Sequence, residues 1–354
     1  MSIKSKVNSV RRKLMQSITK NIGSAHFSKG GDITKIKVTR ILICRPNPRL
    51  GNQLLMTPLL QEVIATFPDC KIDLFVNGNA APSIFQGYEN VYKIIRLPRK
   101  PFKELIKYVK GWMAIKAYKY DIVINVVKNS SSGRLSAQFA TADFKFFGDD
   151  VDNLATKYDD YDHIAKYPVY NFRHYLHLLG FPENNNPIPP LDIKLSHAEL
   201  AAAKNSLQDI VKNDKKTICI FTFATGDKCY KNVWWQPFYD QLKVRFPDYN
   251  ILEVLPVENV SQINFEAPSF YSKDIREIAA FIANTALFVG ADSGMMHLAS
   301  ASLSTTAGLF CVTNEKMYAP YGNGSFAINT NKTSIEEAVS LIQDALSKKK
   351  NTPN

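Results

Sequence analysis

Residues Phe288 to Gly322 read FVGADSGMMHLASASLSTTAGLFCVTNEKMYAPYG. An apolar, strand-like run over Ala286–Val289 breaks at Gly290, and Asp292-Ser293-Gly294 follows. An amphipathic helical segment spans Met295 to Ser302, a second apolar run covers Ala307–Val312, and Pro320-Tyr321-Gly322 turns the chain behind it. Strand, turn, helix and strand make the repeating unit of a parallel sheet, and ligands collect where such a strand hands over to its helix. The N–H groups and positive dipole end of a helix start favour phosphate. Asp-Ser-Gly adds a capping oxygen and a glycine that admits a bulky anion to the backbone. The same pattern also describes an ordinary capped helix between two buried strands.

Working outward, the pattern repeats. Ile36–Cys44, Lys71–Val76, Val91–Leu97 and Tyr120–Val127 are apolar runs that predict buried strands, and helical periodicity falls between them, over Gln53–Phe67 and Phe102–Lys119. Pro58 lies where it could bend or re-cap the first of these helices. Phe181–Pro190 (FPENNNPIPP) cannot continue a helix or a central strand and predicts a linker. A second series follows: a helix over His197–Val211 capped by Ser196, strands over Thr217–Phe223 and Ile251–Val257, helices over Trp234–Phe246 and Ile275–Ala283, and the quoted stretch. Thr333-Ser334 with Glu336-Glu337 predicts the cap of a last helix ending near Leu346. The fold class is α/β, with doubly wound parallel sheets in two domains. The boundaries are a leader over 1–35, a first domain over 36–182, a linker over 183–195, a second domain over 196–330, and a terminal helix with basic tail over 331–354.

With 354 residues, 45% apolar and 21% charged, the chain has the composition of a globular protein of two domains. Cys44, Cys70, Cys219, Cys229 and Cys311 are scattered without a C-x-x-C, which points to thiols in a reducing cytoplasm rather than disulfides or zinc. No signal peptide and no apolar run of about 18 residues is evident. The net charge of +12 asks for an anionic partner. Lys4, Lys6, Arg11, Arg12, Lys13, Lys20 and Lys29 all precede the first acidic residue, Asp32, and Val7, Val10, Leu14 and Ile18 recur among them at helical spacing. The leader is either an amphipathic helix that lies on an anionic membrane surface or a disordered basic segment. Nucleic acid is disfavoured, because no aromatic residues interleave with these charges and no nucleic-acid motif occurs.

Asp292, Ser293, Gly294, His297, Leu298, Ala299 and Ala301 spell D-S-G-x-x-H-L-A-x-A, ahead of an apolar strand and a P-Y-G turn. This resembles the C-terminal signature of glycosyltransferase family nine, the ADP-heptose:lipopolysaccharide heptosyltransferases. The resemblance runs over residues 38–346, with a different local loop at Leu303-Ser304-Thr305-Thr306. It implies the GT-B architecture, two Rossmann-like domains with parallel sheets facing a central cleft, acceptor domain first and nucleotide-sugar donor domain second. It implies an inverting glycosyltransferase that moves a sugar, most readily heptose from ADP-heptose, to a lipid-linked or lipopolysaccharide-core acceptor. The co-substrate would be the nucleotide sugar, with no obligatory metal or other cofactor. The enzyme would be cytoplasmic, with peripheral contact at the inner face of the cytoplasmic membrane.

Site residues follow from the matched blocks. In Leu50-Gly51-Asn52-Gln53-Leu54, the family has G-D-x-L, and its aspartate is the proposed general base; this chain has Asn52. An amide cannot take a hydroxyl proton at neutral pH, and loss of a general base costs about 10²–10⁴ in rate. Asn125 likewise stands where the family often has aspartate, and Asp121 reads as a strand-end residue that does not replace it. Another carboxylate serves as base, or the acceptor or reaction differs, or the protein is slow. In Thr222-Phe223-Ala224-Thr225-Gly226-Asp227-Lys228, Lys228 matches the family lysine that would neutralise the diphosphate, Lys231 competes with it, and Thr225 would add a hydroxyl. Asp292 would contact donor-sugar hydroxyls and the Ser293 and Gly294 amides the phosphates. His297 either faces the diphosphate or packs inward, and Glu258 would bind ribose. Gly51, Arg45, Arg49 and Arg134 are the acceptor-side candidates. Trp234 and Trp235 read as core. The competing class is a non-catalytic sugar-nucleotide-binding relative, motivated by Asn52. A nicotinamide-dependent oxidoreductase is disfavoured, since no G-x-G-x-x-G follows the first strand.

Overall fold

The computed structural model describes residues 22–23, 37–100 and 103–350. The leader helix anticipated around Val7–Ile18 and the end of the lysine-rich tail lie outside these residues. The chain divides into two compact units, one running up to Arg49 and from Pro58 to Pro189, the other comprising Leu50–Thr57 and everything from Pro190 onward.

Unit 1 contains β1 (Arg40–Arg45), α2 (Thr57–Thr66, entering from unit 2 after α1, Leu50–Leu54), β2 (Lys71–Asn77), α3 (Ala81–Phe85), β3 (Val91–Leu97), α4 (Leu105–Lys116), β4 (Lys119–Asn125), α5 (Ser131–Phe139), β5 (Thr141–Phe146), α6 (Asp152–Lys157) and α7 (Tyr167–Leu178). Its five strands are all parallel in the order β3-β2-β1-β4-β5. Ile41, Leu42, Ile43 and Cys44 of β1 are fully buried, as a central strand covered on both faces requires. The strand order reverses between β1 and β4, whose registers put Cys44 opposite Asn125 at the carboxyl edge.

Asn125 is buried there. Its Nδ2 donates to Val127 O at 2.8 Å and to Phe147 O at 2.7 Å, so one amide ties the loops after β4 and β5 together. A Cβ on Gly133 would stand 2.1 Å from Asn125 Oδ1, so α5 needs a glycine at that position to begin where it does. Asp121 accepts from Thr39 N, Thr39 Oγ1 and Arg40 N at 2.7–3.0 Å, a strand-end role. Pro58 does not bend a continuous Gln53–Phe67 helix. It sits in the first turn of a new one after a break at Leu55-Met56, where a missing N–H costs nothing. Leu54 O, which Pro58 cannot satisfy, accepts instead from Thr57 Oγ1 at 2.8 Å.

Unit 2 holds α1 together with α8 (His197–Val211), β6 (Lys216–Phe221), a short 3₁₀ turn (Gly226–Lys228), α9 (Asn232–Arg245), β7 (Tyr249–Val254), β8 (Ser269–Phe270), α10 (Ile275–Ala283), β9 (Leu287–Ala291), α11 (Gly294–Ala301), β10 (Thr306–Phe310), α12 (Glu315–Tyr318), β11 (Phe326–Asn329) and α13 (Ile335–Lys350). Its parallel sheet runs β11-β10-β9-β6-β7-β8. Trp235, Phe238, Leu242 and Ile342 close over Ile218, Val289 and Leu309 on one face, so Trp235 is core as expected, with Trp234 partly buried against the same cluster. Ser334 and Glu337 cap α13 reciprocally (2.8 and 3.2 Å), and that helix continues past Leu346 to Lys350.

Two contacts define how unit 2 is braced. Ser196 and Glu199 form a capping box at the start of α8, and the buried Arg276 of α10 grips the same Glu199 carboxylate while donating to Ile193 O at 2.9 Å and Lys194 O at 2.8 Å. The second is α1, which lies directly on α11. A Cβ on Gly51 would come within 2.7 Å of His297 Cδ2, and one on Gly294 within 3.2 Å of Leu50 Cβ.

Each contact makes a prediction. The Arg276 guanidinium holds the Glu199 carboxyl down at about 2, against an ordinary 4.5. A depressed folded-state value means that the pair's contribution is complete above about pH 4.5 and disappears as the pH falls towards 2. Glu199→Gln, which keeps the capping box, is expected to lose about 1–2 kcal/mol at neutral pH after allowance for screening. The difference from the parent should close on acidification in denaturant titrations across pH; a constant difference would refute the linkage. Gly51→Ala is expected to destabilise by about 1–3 kcal/mol in urea unfolding, because the methyl must displace the His297 ring.

Candidate active site

The order of the unit 2 sheet reverses between β6 and β9, so the segments leaving those two strands diverge and leave room at the carboxyl edge. β9 is buried over its whole length and delivers Asp292 to that edge, 4% exposed. The Asp292 backbone N–H donates to Leu309 O at 3.0 Å, which fixes the residue against β10. Its Oδ2 accepts from Lys228 Nζ and, at 2.6 Å, from Thr313 Oγ1. Its Oδ1 lies 3.8 Å from Nε2 of His297, one turn along α11. A buried carboxylate is tolerable only with such partners, so Asp292 gathers the segments after β6, β9 and β10 onto one charge.

Ser293 caps α11 by accepting from Met296 N at 3.4 Å. The amides of Gly294 and Met295 fall in the first helical turn, where no intrahelical acceptor exists. Lys228 closes the 3₁₀ turn, its side chain 34% exposed and its ammonium 6.0 Å from the centre of the Tyr318 ring. An anchored but partly open ammonium beside a helix start is an anion-binding arrangement. His297 is buried, with its ring against Gly51 and its Nε2 towards Asp292. Gly51 is likewise buried in a helix contact, so the missing side chain serves packing of α1 on α11.

Thr225 is exposed just ahead of the 3₁₀ turn, and Glu258 is exposed in the loop after β7. Lys231 is an exposed residue at the N-cap of α9. Asn52 is half-buried on α1, the residue after Gly51. In unit 1, Arg45 is buried at the end of β1 and Arg49 is exposed. Arg134 is 3% exposed with its donors committed internally: Nε to Ile22 O at 3.1 Å, and the terminal nitrogens to Asp149, Gly23 O and Phe147 O. A ligand carboxylate would have to displace Asp149. The cluster within unit 2 therefore unites Lys228, Asp292, Ser293, Gly294 and His297 with Gly51, and Arg134 is no part of it.

Sequence reasoning missed two residues. Thr313, the first polar side chain after the β10 run, is the second donor to Asp292. Glu253 is a fully buried carboxyl in β7, accepting from Thr222 Oγ1 and, at 2.7 Å, from Ser261 Oγ. Thr222 Oγ1 in turn accepts from Gln262 N at 3.0 Å, so Glu253 locks the loop after β6 to the loop that carries Glu258. Burial pushes the Glu253 carboxyl up, against the pull of its two hydroxyl donors. Its signal was a single acid inside the apolar run ILEVLPV. Among the described residues, no three His, Cys, Asp or Glu side chains are grouped as a metal site.

Residues 272–345 match the family model described as Glycosyltransferase family 9 (heptosyltransferase). The chain is 20% identical over 297 residues to lipopolysaccharide heptosyltransferase 3 of Escherichia coli, covering 77% of this chain and 84% of that protein. Its fold resembles the crystal structure of a family 9 glycosyl transferase from Veillonella parvula, with a TM-score of 0.68 at 16% identity over 88% of this chain and 99% of that one. It also resembles Escherichia coli heptosyltransferase WaaC with ADP, with a TM-score of 0.63 at 14% identity over 88% and 99% of the two chains. The matched span contains the whole Asp292–Ala301 motif with its buried carboxylate and helix start, and over that span the chain is similar to glycosyltransferase family 9.

Proposed function

We propose that the chain moves a sugar, heptose in the first instance, with inversion from a nucleotide-diphospho-sugar such as ADP-heptose to a lipopolysaccharide-core or related glycoconjugate acceptor. The observation that carries the proposal is the Lys228–Asp292 pair beside the first turn of α11. As the bond from the anomeric carbon to the diphosphate oxygen breaks, negative charge builds on the leaving group. Lys228 can move its ammonium from Asp292 to a phosphate oxygen, and the Gly294 and Met295 amides add donors fixed in advance. Asp292, relieved of the lysine, retains Thr313 and turns its free lone pairs to sugar hydroxyls. Thr225 and Glu258, both exposed near this edge, are assigned to phosphate and ribose. Arg49, exposed after β1, is the acceptor-side cation, whereas Arg45 and Arg134 are buried. The relative named for lipopolysaccharide and the WaaC structure with ADP support this choice of donor and acceptor. The site of action would be the cytoplasmic face of the membrane.

The attacking acceptor hydroxyl must lose its proton, and Asn52 cannot accept it. That single residue favours a second reading, a sugar-nucleotide-binding relative that does not turn over.

Calorimetry on the full chain is expected to detect ADP or ADP-heptose, with Lys228→Ala weakening association and lowering turnover by about 10²–10³. No heat with any nucleoside diphosphate or nucleotide sugar would remove the transferase proposal. Asn52→Asp is expected to raise transfer to a truncated core acceptor by about 10²–10⁴ if position 52 is the base site. An unchanged rate, with binding intact, assigns proton removal to another group.

A further inference from the structure

Helix α4 of unit 1 has two apolar faces, and the protein uses one. Gly111 and Ile115 are buried, with Gly111 so close to β3 that a Cβ would meet Leu97 Cδ2 at 2.8 Å. Tyr108 and Trp112 lean on the same core. At 100° per residue, Leu105, Ile106, Val109 and Met113 form a neighbouring stripe, and these side chains are 60%, 73%, 50% and 55% exposed. A helix packed on a sheet ordinarily carries polar residues there. The stripe continues into an open groove of about 390 Å³ between α4 and α5, lined by Tyr108, Val109, Trp112, Leu135 and Phe139.

The charge around this stripe has one sign. From residue 96 to 119 the chain has eight basic side chains and one acid, Glu104, which Lys107 already pairs at 2.7 Å. Lys103, Lys107 and Lys110 are exposed along one border of the stripe, and Arg99 and Lys100 precede the helix. Lys116 lies over the Phe139 ring at 5.3 Å and donates to Phe139 O.

We propose that α4 is an interfacial anchor that seats unit 1 on an anionic lipid surface. Its aliphatic stripe would enter the boundary between headgroups and acyl chains, while the lysines reach the lipid phosphates. The charge selects this occupant. A second copy related by a two-fold axis would set the same lysines against each other, and a single-stranded nucleic acid would find the groove's rings already engaged, Tyr108 and Trp112 by the unit 1 core and Phe139 by Lys116. The anchor is separate from the basic leader and independent of which sugar is transferred. Among the described residues no helix is long and apolar enough to cross a membrane, so attachment of this part of the chain is from one side.

The test uses the full chain with vesicles of phosphatidylcholine alone or mixed with phosphatidylglycerol. Cosedimentation is expected only with the anionic vesicles, falling about tenfold as salt is raised. An environment-sensitive dye on Met113→Cys should shift to the blue on those vesicles, read against the unsubstituted protein carried through the same labelling. The dye on Val244→Cys, exposed on unit 2, should not shift. Ile106→Glu/Met113→Glu, with an unchanged thermal midpoint, should weaken cosedimentation about tenfold. A silent dye at position 113 while the protein binds would hand attachment to the leader and overturn the proposal. So would equal binding to neutral vesicles, unchanged binding of the double variant, or a dimer in sedimentation velocity that the double variant dissociates.

Discussion

The site in unit 2 depends on one buried negative charge. A carboxylate 4% exposed at the end of a central strand is stable only while cations and hydroxyls face it. Asp292 satisfies that demand with Lys228 from the segment after β6, Thr313 from the segment after β10, and His297 from its own helix. Three segments are thereby held together at the point where the strand order reverses. The same demand holds the tip of Lys228 at Asp292 while a third of its side chain stays exposed. Glu253 repeats the device two strands away, on β7 beyond β6, with neutral hydroxyl donors instead of a lysine. The result there is a rigid brace.

Placement of α1 follows from size. Gly51 and Gly294 are both small because Leu50 and His297 occupy the space their side chains would take. That contact makes Leu50–Thr57 part of unit 2, although the strand before it and the body of the helix after it belong to unit 1. Asn52, one residue on, is therefore carried by the same packing that orients His297. Thr57 seals the return by taking Leu54 O and accepting from Asp192 N at 3.2 Å.

The central strands, the capping boxes and the Asp292 motif were legible because each imposes a local demand on residue type. Continuous apolar runs mark strands covered on both faces, and Ser196/Glu199 and Ser334/Glu337 mark helix starts. The strands that sequence reasoning missed, β5, β8 and β11, all lie at sheet edges. Such strands are half-covered, so TADFKF, SF and FAIN carry no apolar run to betray them. Partnerships over long sequence separations were equally hidden. Arg134 reads as a ligand-binding cation in Ser130-Ser131-Ser132-Gly133-Arg134, and nothing local shows that Asp149 and the Ile22 and Gly23 carbonyls enclose it. Lys228 and Asp292, 64 residues apart, could be named separately, but their contact could not.

The two asparagines that replace expected aspartates illustrate what structure adds to such a departure. In sequence they are equivalent losses of a carboxylate. Asn125 is 1% exposed and donates both amide hydrogens to backbone carbonyls, a task that an aspartate at the same place would reverse into repulsion. Its identity is explained by the loops it ties together, with no reference to catalysis. Asn52 is half-buried on a helix packed against His297, and there a change from carboxylate to amide removes a proton acceptor. The two departures are thus unlike in setting: Asn125 is held between two loops of unit 1, whereas Asn52 lies on the helix that packs against His297 in unit 2.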